Sequence, residues 1–214
     1  MNSHDSNSSL IIRLKTILLY GSLAAIIFTV VYGQSNKLAS VSDTLYPMYL
    51  DWELQIPLIP WMIYPYISLN LLFITAAFFL RTKESIKALC LSITWGAIIA
   101  GIIFYFFPGE LGFKRVEVPG YENIFNFMFA IDHPHNLFPS LHITYAWLVI
   151  SAIKQNAYSK IVHFVMESWR ILITLSVVLV HQHHLFDIFT GGILAHLLLK
   201  FIYQKHSTPT LLQK

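Results

Sequence analysis

Long apolar runs separated by short polar stretches set the pattern of this chain. Six runs are candidates for membrane-spanning helices: Thr16–Gly33, Met62–Leu80, Ala88–Phe107, Leu141–Ile153, Ile161–Val180 and Leu185–Tyr203. The hydrocarbon core of a bilayer is about 30 Å thick, so a helical span needs about 20 mostly apolar residues. The fourth run is short for that task. The fifth carries Glu167 and Arg170, spaced to pair at i,i+3 on one helix face. An alternative lays residues 154–170 in the membrane interface and starts that span near Ile171. Arg13 and Lys15 precede the first run as in a signal peptide, but the run exceeds the roughly 7–15 residues of a signal segment. No small-x-small cleavage site follows it either, so it reads as a retained first span. The expected fold class is an all-α membrane protein, a six-helix transmembrane bundle with its site at the extracytosolic membrane edge. Met1–Ser9 reads as a polar, disordered tail, Leu10–Gln204 as one transmembrane domain and Lys205–Lys214 as a C-terminal tail.

Composition agrees with a bilayer setting. Of 214 residues, 56% are hydrophobic and only 12% charged, half the roughly 25% charged share of soluble domains. Mean hydropathy is +0.59. The net charge of +3 is spread over loops and forms no basic stripe of the kind that binds nucleic acid. The single cysteine, Cys90, lies in an apolar run and has no partner in the chain. Oligomeric state is not legible.

Lysine and arginine orient the spans. With the N-terminus inside, Arg13, Lys15, Arg81, Lys83, Lys87, Lys154, Lys160, Arg170, Lys200, Lys205 and Lys214 are cytosolic. Lys37, Lys114 and Arg115 are outside. The eleven-to-three bias puts both termini in the cytosol of a multi-pass protein of the cell (inner) membrane. Segments 34–61, 108–139 and 181–184 are then extracytosolic. In the first of these, Asp51-Trp52-Glu53 precedes Pro57 and Pro60, which reads as an ordered turn or a re-entrant entry. Tyr46, Tyr49, Trp52, Trp61, Tyr64 and Tyr66 fit an interfacial belt better than a headgroup pocket.

Histidine carries the chemistry. His133, His135, His142, His181, His183 and His184 all fall at extracytosolic span edges, where ionisable groups are costly and usually face a polar cavity. His183 and Asp187 are four apart at the start of the last run, on one helix face. A carboxylate so placed fixes the imidazole tautomer and frees the other nitrogen as nucleophile or base. Gly191 and Gly192 allow close helix packing beside it. Pro139-Ser140 reads as a helix start whose N–H groups suit an anion, with His142 in the same turn. Arg115, next to Lys114, has the geometry to hold phosphate bidentately. Taken singly, each of these residues is equally an interfacial histidine, an ordinary helix start or a solvated loop charge.

Together, Pro139-Ser140-Leu141-His142 and His183-x-x-x-Asp187 resemble the second and third motifs of the type 2 phosphatidic acid phosphatase superfamily. The run Asn136–His142 is most similar to the branch of inositol phosphorylceramide synthases and related bacterial lipid phosphatases. The resemblance spans about Asp51 to Gly192. Leu141 stands where the family has glycine, Val177 where it has the third-motif arginine, Pro108 where it has the first-motif lysine and Val116 where it has proline. The resemblance implies a lipid phosphatase acting on a phospholipid or other lipid phosphate, without metal or cofactor. It makes His183 the nucleophile that forms a phosphohistidine, Asp187 its support and His142 the acid for the leaving alkoxide. Arg115, Ser140 and Lys114 would bind phosphate, with a protonated His181 as a further cation. Two alternatives stay open: a transferase using a lipid hydroxyl in place of water, and a heme- or metal-binding membrane protein using the dense histidines.

Overall fold

The computed structural model describes residues 3–132 and 134–207, with side chains from Leu10 onward. His133, and the C-terminal tail from residue 208 with its Lys214, lie outside the described residues. Among the described residues the chain is helical, with a single isolated bridge between Tyr46 and Gly109. Helices α1 (Ser3–Thr16) and α2 (Ser22–Ala39) run on through a π-helical turn at Ile17–Gly21. Short α3 (Ile63–Ile67) leads into α4 (Leu69–Phe79), followed by α5 (Lys83–Phe106). Then come α6 (Glu122–Ile131), α7 (Leu141–Asn156), α8 (Lys160–Leu179) and α9 (Leu185–Leu198). A second π-helical turn, Leu199–Tyr203, and α10 (Gln204–His206) end the bundle. The first helix starts at Ser3, so residues 3–9 of the segment expected to be disordered continue the helix of the first run.

Among the described residues, five helical stretches are long and apolar enough to cross a membrane: Leu10–Ala39, Pro60–Phe79, Lys83–Phe106, Lys160–Leu179 and Leu185–His206. Their outer faces carry bare apolar groups such as Phe78, Phe164, Ile161 and Phe189, a surface that water would oppose and lipid accepts. Helix α8 is continuous from Lys160, so Glu167 and Arg170 lie within it and pair, joined by Lys154. The fourth expected run is α7, 16 residues long, or about 24 Å of helix. It is walled in by α4, α5, α8 and α9, and ten of its residues are buried. A helix surrounded by protein does not need the length or the continuous apolar surface of one that faces lipid.

Caps and close approaches fix the ends. Thr82 accepts the Ser85 N–H at 3.1 Å to start α5, and Ser140 accepts the Ile143 N–H at 3.4 Å to start α7, satisfying N–H groups that a helix start leaves free. At Gly101 a Cβ would fall 2.1 Å from Val31 Cγ1, so α2 and α5 meet there because that position has no side chain. Contacts sort the connections onto two ends. Tyr46 meets Pro108, Gly109 meets His135, Ile59 meets Leu179 and Ser140 meets Asp187 at one end. Arg13 meets Ala77, Lys87 lies over Tyr20, and Asn156 meets Tyr203 at the other. All the chemistry-bearing residues lie at the first end. Segment 108–139, read from sequence as a loop, contains amphipathic α6, whose Phe125 and Met128 are buried against Ile63, Tyr66 and Val177.

Candidate active site

The turn between α8 and α9 is built by a helix-ending motif. The N–H of His181 donates to Val178 at 2.8 Å, and the N–H groups of Gln182 and His183 both donate to Val177 at 3.0 Å. This pattern places the residue just past the helix in the left-handed region, normally occupied by glycine. Here it is His181, at φ 58°. Its ring is held on both sides of the strained backbone, stacked on Phe113 at 4.0 Å and bonded through Nε2 to the Ile56 carbonyl at 2.9 Å. Burial pushes its pKa below the usual histidine value. These contacts commit the ring to the scaffold of the turn, through Phe113 and the Ile56 carbonyl, where the sequence offered it as a further cation for phosphate.

The turn delivers His183 and His184 to two different carboxylates. His183 Nδ1 lies 3.2 Å from Asp187 Oδ2, and both side chains are buried. The same Oδ2 accepts the His184 N–H at 2.9 Å, the reach-back of a carboxylate in the first turn of a helix. Asp187 therefore caps α9 and orients the imidazole with one oxygen. With Nδ1–H donating, the hydrogen-bond network assigns the lone pair of His183 to Nε2. His184 has its Nδ1 3.5 Å from Glu53 Oε2, and its Nε2 accepts the Gly112 N–H at 3.2 Å. Tyr49 and Phe113 stack on the ring, each with centroids 4.6 Å away. Glu53 also accepts the N–H groups of Leu50 at 3.1 Å and Leu185 at 2.9 Å. Burial lowers the His184 pKa, against the opposing pull of Asp187 and Glu53.

Helix α7 brings the third histidine. The Ser140 N–H donates to the Asp187 carbonyl at 3.1 Å, and Thr144 Oγ1 donates to the Gly191 carbonyl at 3.1 Å. At Gly191 a Cβ would lie 2.6 Å from the Ser140 carbonyl oxygen, so α7 and α9 touch backbone to backbone as the glycine pair suggested. His142 then lies with its ring centroid 6.2 Å from that of His183, at 55°. Its other face is covered by Tyr66, stacked at 4.0 Å.

Arg115 and Lys114 part company. Arg115 spreads its guanidinium over three oxygens: Nη1 donates to the Phe129 main-chain carbonyl at 3.1 Å, and Nη2 donates to the Asp132 main-chain carbonyl and, at 3.2 Å, to the side-chain Oε1 of Gln182. Its Cζ rests 4.7 Å from the Phe129 ring centre, and its buried Nε has no partner. Desolvation lowers its pKa, with Asp132 opposing. Lys114 is exposed on the same loop, and no described hydrogen bond or ion pair ties it to the histidines.

Two functional candidates were not singled out from sequence. Glu53 lies in the first outer segment, and the His183-His184 doublet was the available signal, since two buried imidazoles call for two carboxylates. Asp132 ends α6; Tyr32 Oη donates to its Oδ1 and Tyr66 Oη to its Oδ2. Although burial works against its charge, the neighbouring His142 and His183 and the two tyrosine hydroxyls hold this carboxyl below the usual carboxylate range. Tyr66 and Tyr49 are thus site residues, not belt residues, whereas Trp52, Trp61 and Tyr64 are about half exposed as a belt requires.

A cavity of about 560 Å³ starts at this site. Tyr32, Tyr66, Asp132 and His142 line its polar end, and apolar residues including Phe28, Phe73 and Leu89 line the rest, as far as Ile17 and Leu80 near the opposite end of the bundle. Among the described residues no group of three or more His, Cys, Asp or Glu side chains is arranged to hold a metal ion. The chain matches no family model, no curated protein and no solved structure.

Proposed function

We propose that this protein is a membrane-embedded phosphatase that hydrolyses a lipid phosphomonoester through a phosphohistidine on His183. The observation that carries the reading is the His183–Asp187 pair facing a second buried histidine: Nδ1 is occupied at 3.2 Å, and His142 lies 6.2 Å away between ring centres. In this reading the phosphate binds at the facing edges of the two imidazoles, within reach of both. In the first step, His183 Nε2 attacks phosphorus, the P–O bond to the lipid breaks, and His142 gives its proton to the departing alkoxide. Positive charge on the phosphorylated imidazole is balanced by Asp187. In the second step, water attacks phosphorus, His142 takes the water proton, and the P–N bond breaks to release phosphate. General acid–base help of this kind contributes about 10²–10⁴-fold. The helix start at Ser140, with its hydroxyl and first-turn N–H groups, and the free Arg115 Nε–H are the donors for the phosphate oxygens.

The cavity favours a lipid on the leaving side. Its lining along the first π-helical turn and α2 runs from Ile17 to Tyr32, about 22 Å of helix. Its apolar lining and length suit the hydrocarbon chain of a lipid. The acceptor, water or a second lipid's hydroxyl, separates the phosphatase from a transferase on the same site. Purified protein in detergent, offered single-chain and two-chain lipid phosphates with product identification, tests both. Release of inorganic phosphate supports the phosphatase, and a new phospholipid without free phosphate supports the transferase.

The orientation follows the charge bias. In this reading the bundle crosses the membrane six times, with α7 as the enclosed sixth crossing, both termini cytosolic and the histidines extracytosolic. Reporter fusions at Lys83 and at Glu117 are expected to mark opposite sides. Both on one side would contradict the six-span arrangement.

A further inference from the structure

We propose that Asp132, gripped by the hydroxyls of Tyr32 and Tyr66, is a positioning residue that supplies the counter-charge for protonated His142 at the mouth of the apolar cavity. This rests on the proposed phosphatase reading and extends it to a residue outside the motif resemblance. A leaving-group acid must be able to hold a proton, and burying an imidazolium without a partner disfavours the charged form. His142 has no described side-chain hydrogen bond. The titratable groups that bear on it are Tyr32 from α2, Tyr66 from α3, Asp132 from the end of α6, His183 from the turn before α9 and Arg115 from the loop. Of these, Arg115 and a protonated His183 oppose a second positive charge. Asp132 alone carries the opposite charge.

The geometry ties Asp132 to that task. Tyr66 links the two residues physically, since its ring covers His142 at 4.0 Å and its hydroxyl donates to Asp132 Oδ2. Tyr32 holds Oδ1, while Arg115 Nη2 and the Arg115–Phe129 stack fix the main chain at the end of α6. The carboxylate therefore cannot swing away without breaking hydrogen bonds from two elements, α2 and α3. Its hydrogen bonds come from two phenols, not from a cation, so its charge stays available to His142. It lines the polar end of the cavity that the proposed function assigns to the leaving lipid.

Asp132→Asn tests this, because it keeps the shape and removes the charge. With histidine labelled in full-length protein in detergent, the His142 signal, assigned by its loss in His142→Gln, is titrated by NMR. The expected result is a His142 midpoint at least one pH unit lower in Asp132→Asn, a tenfold change in its protonation equilibrium, and restored in Asp132→Glu. In turnover, Asp132→Asn is expected to lose at least tenfold on an alkyl phosphate while changing little on p-nitrophenyl phosphate, whose leaving group needs no proton. If Asp132→Asn does not fold, Asp132→Ser, smaller and equally uncharged, is titrated instead. An unchanged His142 midpoint overturns the proposal, as does an equal loss on both substrates. If the wild type hydrolyses neither substrate, the phosphatase reading fails, while the NMR midpoint still decides the role of Asp132.

Discussion

The main-chain N–H of Ser140 donates to the main-chain carbonyl of Asp187 at 3.1 Å, joining the start of α7 to the first turn of α9. This bond holds the two motif segments, more than forty residues apart in sequence, in one register. It places the rings of His142 and His183 6.2 Å apart between centroids. It exists because Gly191 lets the helices approach until only a hydrogen atom separates its Cα from the Ser140 carbonyl.

Gly191→Ala is therefore expected to act at a distance from the reacting atoms. The new methyl would meet a main-chain oxygen at 2.6 Å, and backbone cannot rotate aside. Overpacking of this sort costs about 1–3 kcal/mol. Thermal unfolding in detergent is expected to show that loss together with a large drop in turnover. A stable Gly191→Ala with full activity would contradict the proposed coupling.

His184 and His183 are expected to separate by function. His184→Ala removes the ring that Gly112, Glu53, Tyr49 and Phe113 hold, and leaves Glu53 buried without its imidazole. Removing one partner of a buried polar contact costs about 1–3 kcal/mol. Stability is expected to fall, while measurable activity per folded molecule persists. An inactive but fully stable His184→Ala would assign the chemistry to the wrong histidine.

Burial holds His181 and His184 below the usual histidine range. Below about pH 6.5 the unfolded chain then binds protons that the folded protein refuses. Their contribution to stability is complete above that value and is lost as pH falls toward their folded-state values. Melting temperature is expected to decline from pH 7 to pH 5. The decline should be shallower in a His181→Asn, His184→Gln double variant, and an equally steep one would contradict the assignment.

Ala76 lines the cavity and is buried. Ala76→Phe is expected to fill part of it and to raise KM for long-chain lipid phosphates, with little change for a short water-soluble phosphate ester. Equal effects on both substrates would remove the cavity from substrate binding.

Much of this fold was legible because lipid contact imposes a simple rule. Runs such as Ala88–Phe107 and Ile161–Val180 must be long and apolar, and they read as such. Helix α7 escaped the length rule because protein surrounds it. Helix α6 escaped because its apolar positions serve a single face over ten residues, within a segment that otherwise reads as loop. At the site, His183 and Asp187 were legible because four-residue spacing on a helix brings side chains together. Glu53, Tyr66 and Asp132 were not, because they reach the histidines from elements remote in sequence, and no local spacing encodes such a meeting. The left-handed His181 was equally hidden, since that conformation ordinarily announces itself with glycine.

The most direct test of the central claim is to trap the covalent intermediate. Protein in detergent is mixed briefly with a labelled lipid phosphate or p-nitrophenyl phosphate, quenched in alkali and digested, and the acid-labile phosphorylated peptide is located by mass spectrometry. The account predicts phosphate on His183, lost in His183→Ala and retained in His184→Ala. Phosphate on His184, or a trapped phosphoenzyme that survives His183→Ala, would contradict it.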